Sequence, residues 1–346
     1  MTKAGIITFH NAENYGAALQ TYGLIKTLQN LGCDAQVIDY RNRGVFLRNM
    51  IKSLFYLFTL QNPFKNHRAY KTFQTQYQNL TPQTYRSVGE FVQDADQFDV
   101  LFFGSDQIWN PDLSNGFDPF YFGEFPTKAK KVAYAASFGR DQITDEERVT
   151  LNQLLENFDA ISIREESMLP AIDHPAECVV DPCMLLSAEE WSHVASKEVS
   201  ESNFILVYQL HPQKEILQTA LTLAKQHQKK VLLISPYPVL TNRKAIHKLG
   251  RITPNEFLAY YQQADHVVSD SFHGTVFSII FSKQFHTVLP SVKTGRLTSL
   301  LRKLNLTDRI VTPDHITPEP IEYSKINPLV AAEIETSLDF IRRNLP

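Results

Sequence analysis

A histidine set between a short apolar run and a longer one is the residue of this chain best placed to move a proton. In His266-Val267-Val268-Ser269-Asp270-Ser271-Phe272-His273-Gly274, a β-branched run stops at three polar residues and His273 follows at a glycine-containing turn. Histidine is the side chain whose charge changes near neutral pH. An apolar stretch of helical length opens at Thr275, so the spacing predicts strand, polar turn, helix start. Parallel α/β sheets bind ligands at such points, and the free N–H groups of a helix start favour an anion. Asp270 or Ser271 is placed to orient the ring, and Ser271 and Gly274 to meet the anion. The plain alternatives are a core histidine or a helix cap.

Three further turns carry reactive or ligand-gripping side chains. Gly104-Ser105-Asp106-Gln107-Ile108-Trp109-Asn110-Pro111 packs an acid, amides and an indole together after an apolar run. Such a set suits a sugar, with hydroxyls on Ser105, Asp106 and Gln107 and a C–H face on Trp109. Asp106 could also serve as general base. The alternative is a helix cap with Trp109 in the core. Asn11-Ala12-Glu13-Asn14-Tyr15-Gly16-Ala17-Ala18 is rich in small residues that let a sugar or phosphate approach backbone N–H groups. Asn14, Tyr15 and Gly16 are its candidate contacts, against a turn merely capped by Asn14. The pattern lacks G-x-G-x-x-G, which argues against a dinucleotide. In Ser162-Ile163-Arg164-Glu165-Glu166-Ser167, Arg164 could hold carboxylate or phosphate, or pair with Glu165 or Glu166. Lys293 and Arg296, in Lys293-Thr294-Gly295-Arg296, could add positive charge for an anion. Asp94-Ala95-Asp96 has the D-x-D pattern of some metal sites but precedes its strand, the wrong end for a ligand, and no metal site is expected.

The elements that must hold these turns alternate between strand-like and helix-like, which predicts an α/β chain with mainly parallel sheets. Strands are expected at 5–9, 35–39, 98–103, 131–136, 160–163 and 178–180, with a helix over 15–31 ended by Gly32. A further helix is capped by Asp145-Glu146-Glu147. After a polar stretch at 196–203 that reads as a linker, strands are expected at 204–208, 230–234, 266–268 and 285–289. Helices are expected at 214–228, 296–304 and 328–344, and one opens at Thr253-Pro254-Asn255-Glu256 with Thr253 as cap. The organisation is thus an N-terminal Rossmann-like domain at 1–195, a second at 204–327 and a final helix at 328–346.

Composition sets the bounds. The chain has 346 residues, enough for two domains, with 43% apolar and 11% aromatic residues for two cores. Three cysteines, Cys33, Cys178 and Cys183, form neither a disulfide framework nor a zinc pattern, which favours a reducing compartment. The start lacks a signal-peptide core and no run is long enough to span a bilayer, so a cytoplasmic protein is expected. The net charge of −3 hides an asymmetry: from Tyr40 to Gly89 there are eight Lys and Arg and no acid. The other 26 basic residues face all 37 acidic ones, a balance of −11. Within this basic helical insert (41–89), the stripe Phe46 to Phe58 suits a membrane surface or an anionic acceptor, or is an ordinary amphipathic helix. Peripheral membrane contact through 41–71 stays open beside the ordinary amphipathic helix, and nucleic acid is not expected, since the chain as a whole is not basic.

Taken in order, these segments resemble the polysaccharide pyruvyltransferase family. The resemblance runs over most of the chain, from Gly5-Ile6-Ile7-Thr8-Phe9-His10 and Asn14-Tyr15-Gly16-Ala17 through Gly104 to Asn110. It continues in Ala133-Tyr134-Ala135-Ala136-Ser137-Phe138-Gly139, Ser162 to Ser167 and Val180-Asp181-Pro182, and ends in Asp270-Ser271-Phe272-His273-Gly274. It implies a GT-B-like fold, two Rossmann-like domains around a cleft, acceptor side first and donor side second, with room for the C-terminal helix to cross back. It implies transfer of pyruvate from phosphoenolpyruvate, a co-substrate with no further cofactor, to two sugar hydroxyls as a cyclic ketal in cell-surface polysaccharide synthesis. In that scheme His273 gives the proton, Asp106 is a candidate base, and Arg164 and Arg296 hold the donor. One departure stands out. Better-studied members carry an arginine two residues before that histidine, where this chain has Ser271. Either Arg296 or Lys293 replaces it, or the donor differs. A glycosyltransferase using a nucleotide-sugar donor and a non-catalytic saccharide-binding subunit are the competing readings. A lipid-linked acceptor would place the protein at the inner face of the membrane, and a homo-oligomer stays open.

Overall fold

The computed structural model describes residues 1–41, 63–114, 116–211, 213–235, 245–250, 252–290 and 294–346. The stripe Phe46 to Phe58, and with it most of the proposed membrane-facing segment, lies outside the described residues, as does Lys293. The chain forms two units, one of Met1–Leu186 with Glu333–Pro346, the other of Ser187–Ala332.

In the first unit the chain runs β1 (Lys3–Ile7), α1 (Tyr15–Asn30), β2 (Asp34–Tyr40), α2 (Pro63–Tyr77), β3 (Leu80–Tyr85) and α3 (Val88–Ala95). It continues through β4 (Val100–Phe103), β5 (Lys130–Ala136), α4 (Asp145–Leu155), β6 (Ala160–Ile163) and β7 (Ala176–Cys178). The sheet order is β3-β2-β1-β4-β5-β6-β7, with every pair parallel. Parallel strands covered on both faces read as continuous apolar runs. All four residues of β4, Val-Leu-Phe-Phe, are fully buried. β3 carries no such signature. Its Leu-Thr-Pro-Gln-Thr-Tyr includes Pro82, which is tolerated because β3 is an edge strand. α4 is capped by Thr144, with Glu147 closing the box, so the expected acidic cap is in fact the helix's first turn.

The second unit runs α5 (Ala188–Val194), β8 (Phe204–Tyr208), α6 (Lys214–His227), β9 (Lys230–Ile234), β10 (Ile246–Lys248) and α7 (Pro254–Gln263). Then come β11 (His266–Ser269), α8 (Phe272–Ile280), β12 (Gln284–Thr287) and α9 (Gly295–Lys303). Its sheet is β10-β9-β8-β11-β12, again all parallel. The polar stretch 196–203 is not a linker but part of this unit. Ser196 N–H donates to the Asn255 carbonyl at 2.9 Å, and Gln263 takes Glu201 N–H and donates to the Val199 carbonyl. Backbone groups of the stretch are thus tied to α7.

The last helix, α10 (Tyr323–Asn344), starts earlier than expected and carries Pro328 within it. From Glu333 onward it belongs to the first unit. There Phe340 and Ile341 are buried against Ala4, Val100 and Tyr134, and Ser337 Oγ accepts Val180 N–H at 3.0 Å. The order of strands fixes where each unit can hold a ligand. The chain leaves β1 toward β2 and β3, then returns to continue from β4, so β1 and β4 flank a switch point. β8 and β11 do the same in the second sheet. Crevices open beyond the carboxyl ends of such strand pairs.

Candidate active site

His273 sits at the carboxyl end of β11, beside the switch point of the second sheet. The helix that follows starts at Phe272, three residues before the expected Thr275. Its cap is Ser271, whose Oγ accepts Gly274 N–H at 3.3 Å. His273 therefore lies inside the first turn, 8% exposed, its ring edge-on to Phe272 at 5.3 Å. Ser271, in the slot where an arginine was expected, is bound into the helix start. Arg296, from α9, places its guanidinium 5.6 Å from the Phe272 ring centre. The second unit thus brings the Arg296 cation to the helix start that holds His273.

Asp270 does not orient the histidine. Its carboxylate accepts Leu210 N–H at 2.7 Å and His211 N–H at 2.8 Å, with Gln213 Nε2 at 3.4 Å. It ties the turn after β8 to the turn after β11, bracing the two sides of the switch point. Burial pushes its carboxyl up, and those N–H groups pull against that rise. Gly274 is a packing glycine, since a Cβ there would lie 2.2 Å from Ser269 Oγ and 2.8 Å from Tyr261 Oη.

In the first unit, four polar side chains from three strand ends meet. Arg164, after β6, is 5% exposed and donates to Asp181 and, at 3.5 Å, to Asp106. Ser105 Oγ donates to the Ala135 carbonyl at 3.0 Å and lies 3.5 Å from Asp181. Burial works against the charge of Arg164, but Asp181 and Asp106 hold it protonated more firmly. A guanidinium already shared by two carboxylates acts as an internal counter-ion, a role that competes with the one expected of it at the donor. Glu165, which accepts from Ser137 Oγ and from Gly139 N–H at 3.3 Å, adds to the charge that holds Arg164 protonated. Asp106 has φ of 74° and Ala135, on the neighbouring strand, 49°. Both are left-handed, a conformation that costs roughly 1 kcal/mol or more in a non-glycine residue and persists at sites where surrounding contacts fix it. Asp106 O accepts both Ile108 N–H and Ser137 N–H, which fixes this turn.

Trp109 is not a platform for a sugar. It is fully buried, stacks on Phe122 at 5.3 Å and donates Nε1–H to the Tyr121 carbonyl at 3.0 Å. Gln107 Oε1 accepts from Asn110 Nδ2 at 2.8 Å. Asn14 caps α1 by accepting Ala17 N–H at 3.3 Å, Gly16 is buried in the first turn, and Tyr15 packs 5.7 Å from Tyr70. The two carboxylates of Asp94-Ala95-Asp96 also have structural partners. Asp94 accepts from Tyr85 Oη, and Asp96 from Thr127 Oγ1 and Lys128 N–H.

Sequence reasoning passed over Asp181 and the pair His10 and Asp39. Asp181 stood in a quoted motif without a role. His10 Nε2 lies 2.9 Å from Asp39 Oδ1 and its Nδ1 3.2 Å from the Thr8 carbonyl. The signal for them was position, since all three follow or end strands.

A family model described as polysaccharide pyruvyl transferase matches residues 14–291. A search of curated proteins finds no match to the chain. Among solved structures, S. aureus MnaA in complex with UDP is 10% identical at a TM-score of 0.53, over 98% of this chain and 90% of that one. UDP-GlcNAc 2-epimerase from Neisseria meningitidis bound to UDP-GlcNAc gives 10% and 0.51, covering 99% of each chain. At such identities the likeness is one of fold, and it agrees with the two Rossmann-like units of a GT-B-like chain.

Proposed function

The chain belongs to the polysaccharide pyruvyl transferase family, and from that premise we propose that it moves the pyruvyl group of phosphoenolpyruvate onto two hydroxyls of a saccharide as a cyclic ketal. The observation that carries this reading is the start of α8, where His273 shares one helical turn with the ring on which Arg296 rests. Phosphoenolpyruvate brings a carboxylate and a phosphate, and needs a cation beside a proton donor. Arg296 supplies the first in place of the arginine absent at Ser271. A helix N-terminus adds partial positive charge.

Protonation of the methylene carbon by His273 leaves the adjacent carbon electrophilic. One sugar hydroxyl adds there, and its proton restores the imidazolium. The second hydroxyl then displaces phosphate, which departs with the remaining proton. Asp106 is the candidate base in the first unit, the acceptor side, its carboxylate part-exposed while Arg164 balances its charge. The product would enter cell-surface polysaccharide synthesis, on a cytoplasmic acceptor. No helix among the described residues is long and apolar enough to cross a membrane.

The test is to incubate the protein with phosphoenolpyruvate and saccharide fractions, following phosphate release and the mass of the product. Phosphate release with a ketal on the acceptor, lost in His273→Ala, is the expected result. Stabilisation by a nucleoside diphosphate but not by phosphoenolpyruvate, with no phosphate released, would instead favour a glycosyltransferase.

A further inference from the structure

A pocket of about 70 Å³, open to solvent, lies in the first unit, beyond the carboxyl ends of β1 and β2. His10 and Arg41, following the two strands, form one wall. α2 forms the other, presenting His67, Tyr70, Lys71 and Gln74, and just past its end Gln78. These are spaced at i, i+3, i+4, i+7 and i+11, one face of a helix. The wall is cationic by construction. Asp39, buried behind it, accepts from His10, from Arg41 Nε at 2.7 Å and from Thr84 at 2.6 Å. Burial pushes its carboxyl up, but these donors hold it well below the usual carboxylate range, so it stays anionic. Carbonyl and carboxylate oxygens face the two nitrogens of His10, which fixes the ring in the wall. One buried anion thus anchors the Arg41 cation at the pocket wall. Lys71 adds a second cation that has no carboxylate partner among the described residues, while Glu13 is engaged by His67 at 3.2 Å.

A second observation points to a ligand. Gln78 is 5% exposed, and its Oε1 has no hydrogen-bond partner among the described residues. A buried carbonyl oxygen left so costs roughly 1–3 kcal/mol unless something donates to it. A hydroxyl would do so. The pocket also communicates with the acceptor side of the first unit: the Thr8 carbonyl faces His10, and Thr8 Oγ1 donates to the Ser105 carbonyl at 2.8 Å, next to Asp106.

We propose that this pocket holds the phosphoryl group of the acceptor, so that the saccharide to be modified is a phosphate ester, with Arg41 and Lys71 on the phosphate and Gln78 accepting from a sugar hydroxyl. Lysine and arginine are the usual phosphate binders, and charged hydrogen bonds are the strong ones. The proposal rests on the pyruvyl-transfer reading, because it names that reaction's acceptor.

The experiment is calorimetric titration of the full chain with a hexose 1-phosphate, the same hexose without phosphate, and phosphoenolpyruvate. Expected is at least tenfold tighter binding of the hexose 1-phosphate than of the hexose. Lys71→Gln should reduce this binding by about tenfold, in keeping with one lost charged hydrogen bond. His67→Gln, which frees Glu13 to face the pocket, should weaken it in the same direction. Equal binding of the two sugars, or hexose 1-phosphate affinity unmoved by Lys71→Gln, would overturn the proposal. Hexose phosphate bound without phosphoenolpyruvate bound would leave the pocket standing and sink the donor instead. Two further ligands, a nucleoside diphosphate hexose and a short polyisoprenyl diphosphate hexose, then identify the source of the phosphate by which binds tighter.

Discussion

His273 and Arg296 share a helix start but are assigned different steps, and kinetics can separate them. A positioned acid contributes about 10²–10⁴ in rate. His273→Gln should therefore lower kcat by about 10²–10⁴ with KM for phosphoenolpyruvate little changed. Arg296→Ala should mainly raise that KM, by roughly 10–100-fold, the loss of one or two charged hydrogen bonds. Steady-state rates with varied donor read both. Arg164 should behave unlike either. Arg164→Met leaves Asp106 and Asp181 facing each other without their cation, which should cost about 3–5 kcal/mol, read as a lower urea midpoint. A variant of normal stability but raised donor KM would return Arg164 to the donor. This residue shows how far sequence carries. Its place at a strand end was legible in Ser-Ile-Arg-Glu-Glu-Ser, but its partner was not. The acidic neighbours in sequence point elsewhere, and Asp181, beyond β7, closes the pair. Trp109 was misread for the same reason: the rings that bury it, Phe122, Phe138 and Phe158, come from later segments.

At the level of elements, the buried strands were legible because a parallel sheet covered on both faces demands unbroken apolar runs. β4, β8 and most of β9 obey that rule, whereas the edge strands β3 and β10 are mostly polar and escaped it. The start of α8 was missed because Phe272 and His273 look like turn residues, while Ser271 is the real cap. The glycines at the two switch points are more than turn formers. At Gly274 a methyl group would strike Ser269 Oγ and Tyr261 Oη, both side-chain atoms. At Gly104 it would sit 2.1 Å from the Tyr134 carbonyl, with φ at +123°. A side chain can give way where a backbone carbonyl cannot. Gly274→Ala should thus cost about 1–3 kcal/mol, as overpacking does, and Gly104→Ala more, both by denaturant midpoint. Equal, negligible losses in the two variants would show that neither close approach is real.

The whole chain should lose stability unevenly as pH falls, because the second unit carries a buried histidine pair. His266 Nε2 lies 2.9 Å from His286 Nδ1, and His286 Nε2 lies 3.0 Å from the Thr317 carbonyl. A carbonyl only accepts, so His286 carries its proton on Nε2 and receives one from His266 on Nδ1. Both rings are neutral in that chain, and a further proton on His286 would face the N–H of His266. Burial pushes both pKa values down, to about 3 for His266 and about 4 for His286; the charges of His286 and Arg309 lower His266 further, while for His286 the bond to Thr317 pulls up and Arg309 pushes down. The unfolded chain titrates near the ordinary histidine value of about 6.5, so between about 6.5 and 4 it binds protons that the folded unit refuses. Stability is therefore full above that range and falls as pH drops through it, each ring contributing about 1.4 kcal/mol per pH unit at most. Asp270 works the other way, since its raised pKa relieves a buried charge as it protonates. In the first unit Asp39 is lowered, so its contribution persists through this window and is lost only in stronger acid. The two tryptophans separate the units as reporters, Trp109 in the first and Trp191 in the second. In a Trp109→Phe background, the Trp191 urea midpoint should fall between pH 6.5 and 4.5, and His286→Gln should flatten that fall. In a Trp191→Phe background, the Trp109 midpoint should change less over the same range. A second unit whose midpoint holds steady across it would mean that the pair takes up its proton when folded, and that the neutral chain from His266 to Thr317 is wrong.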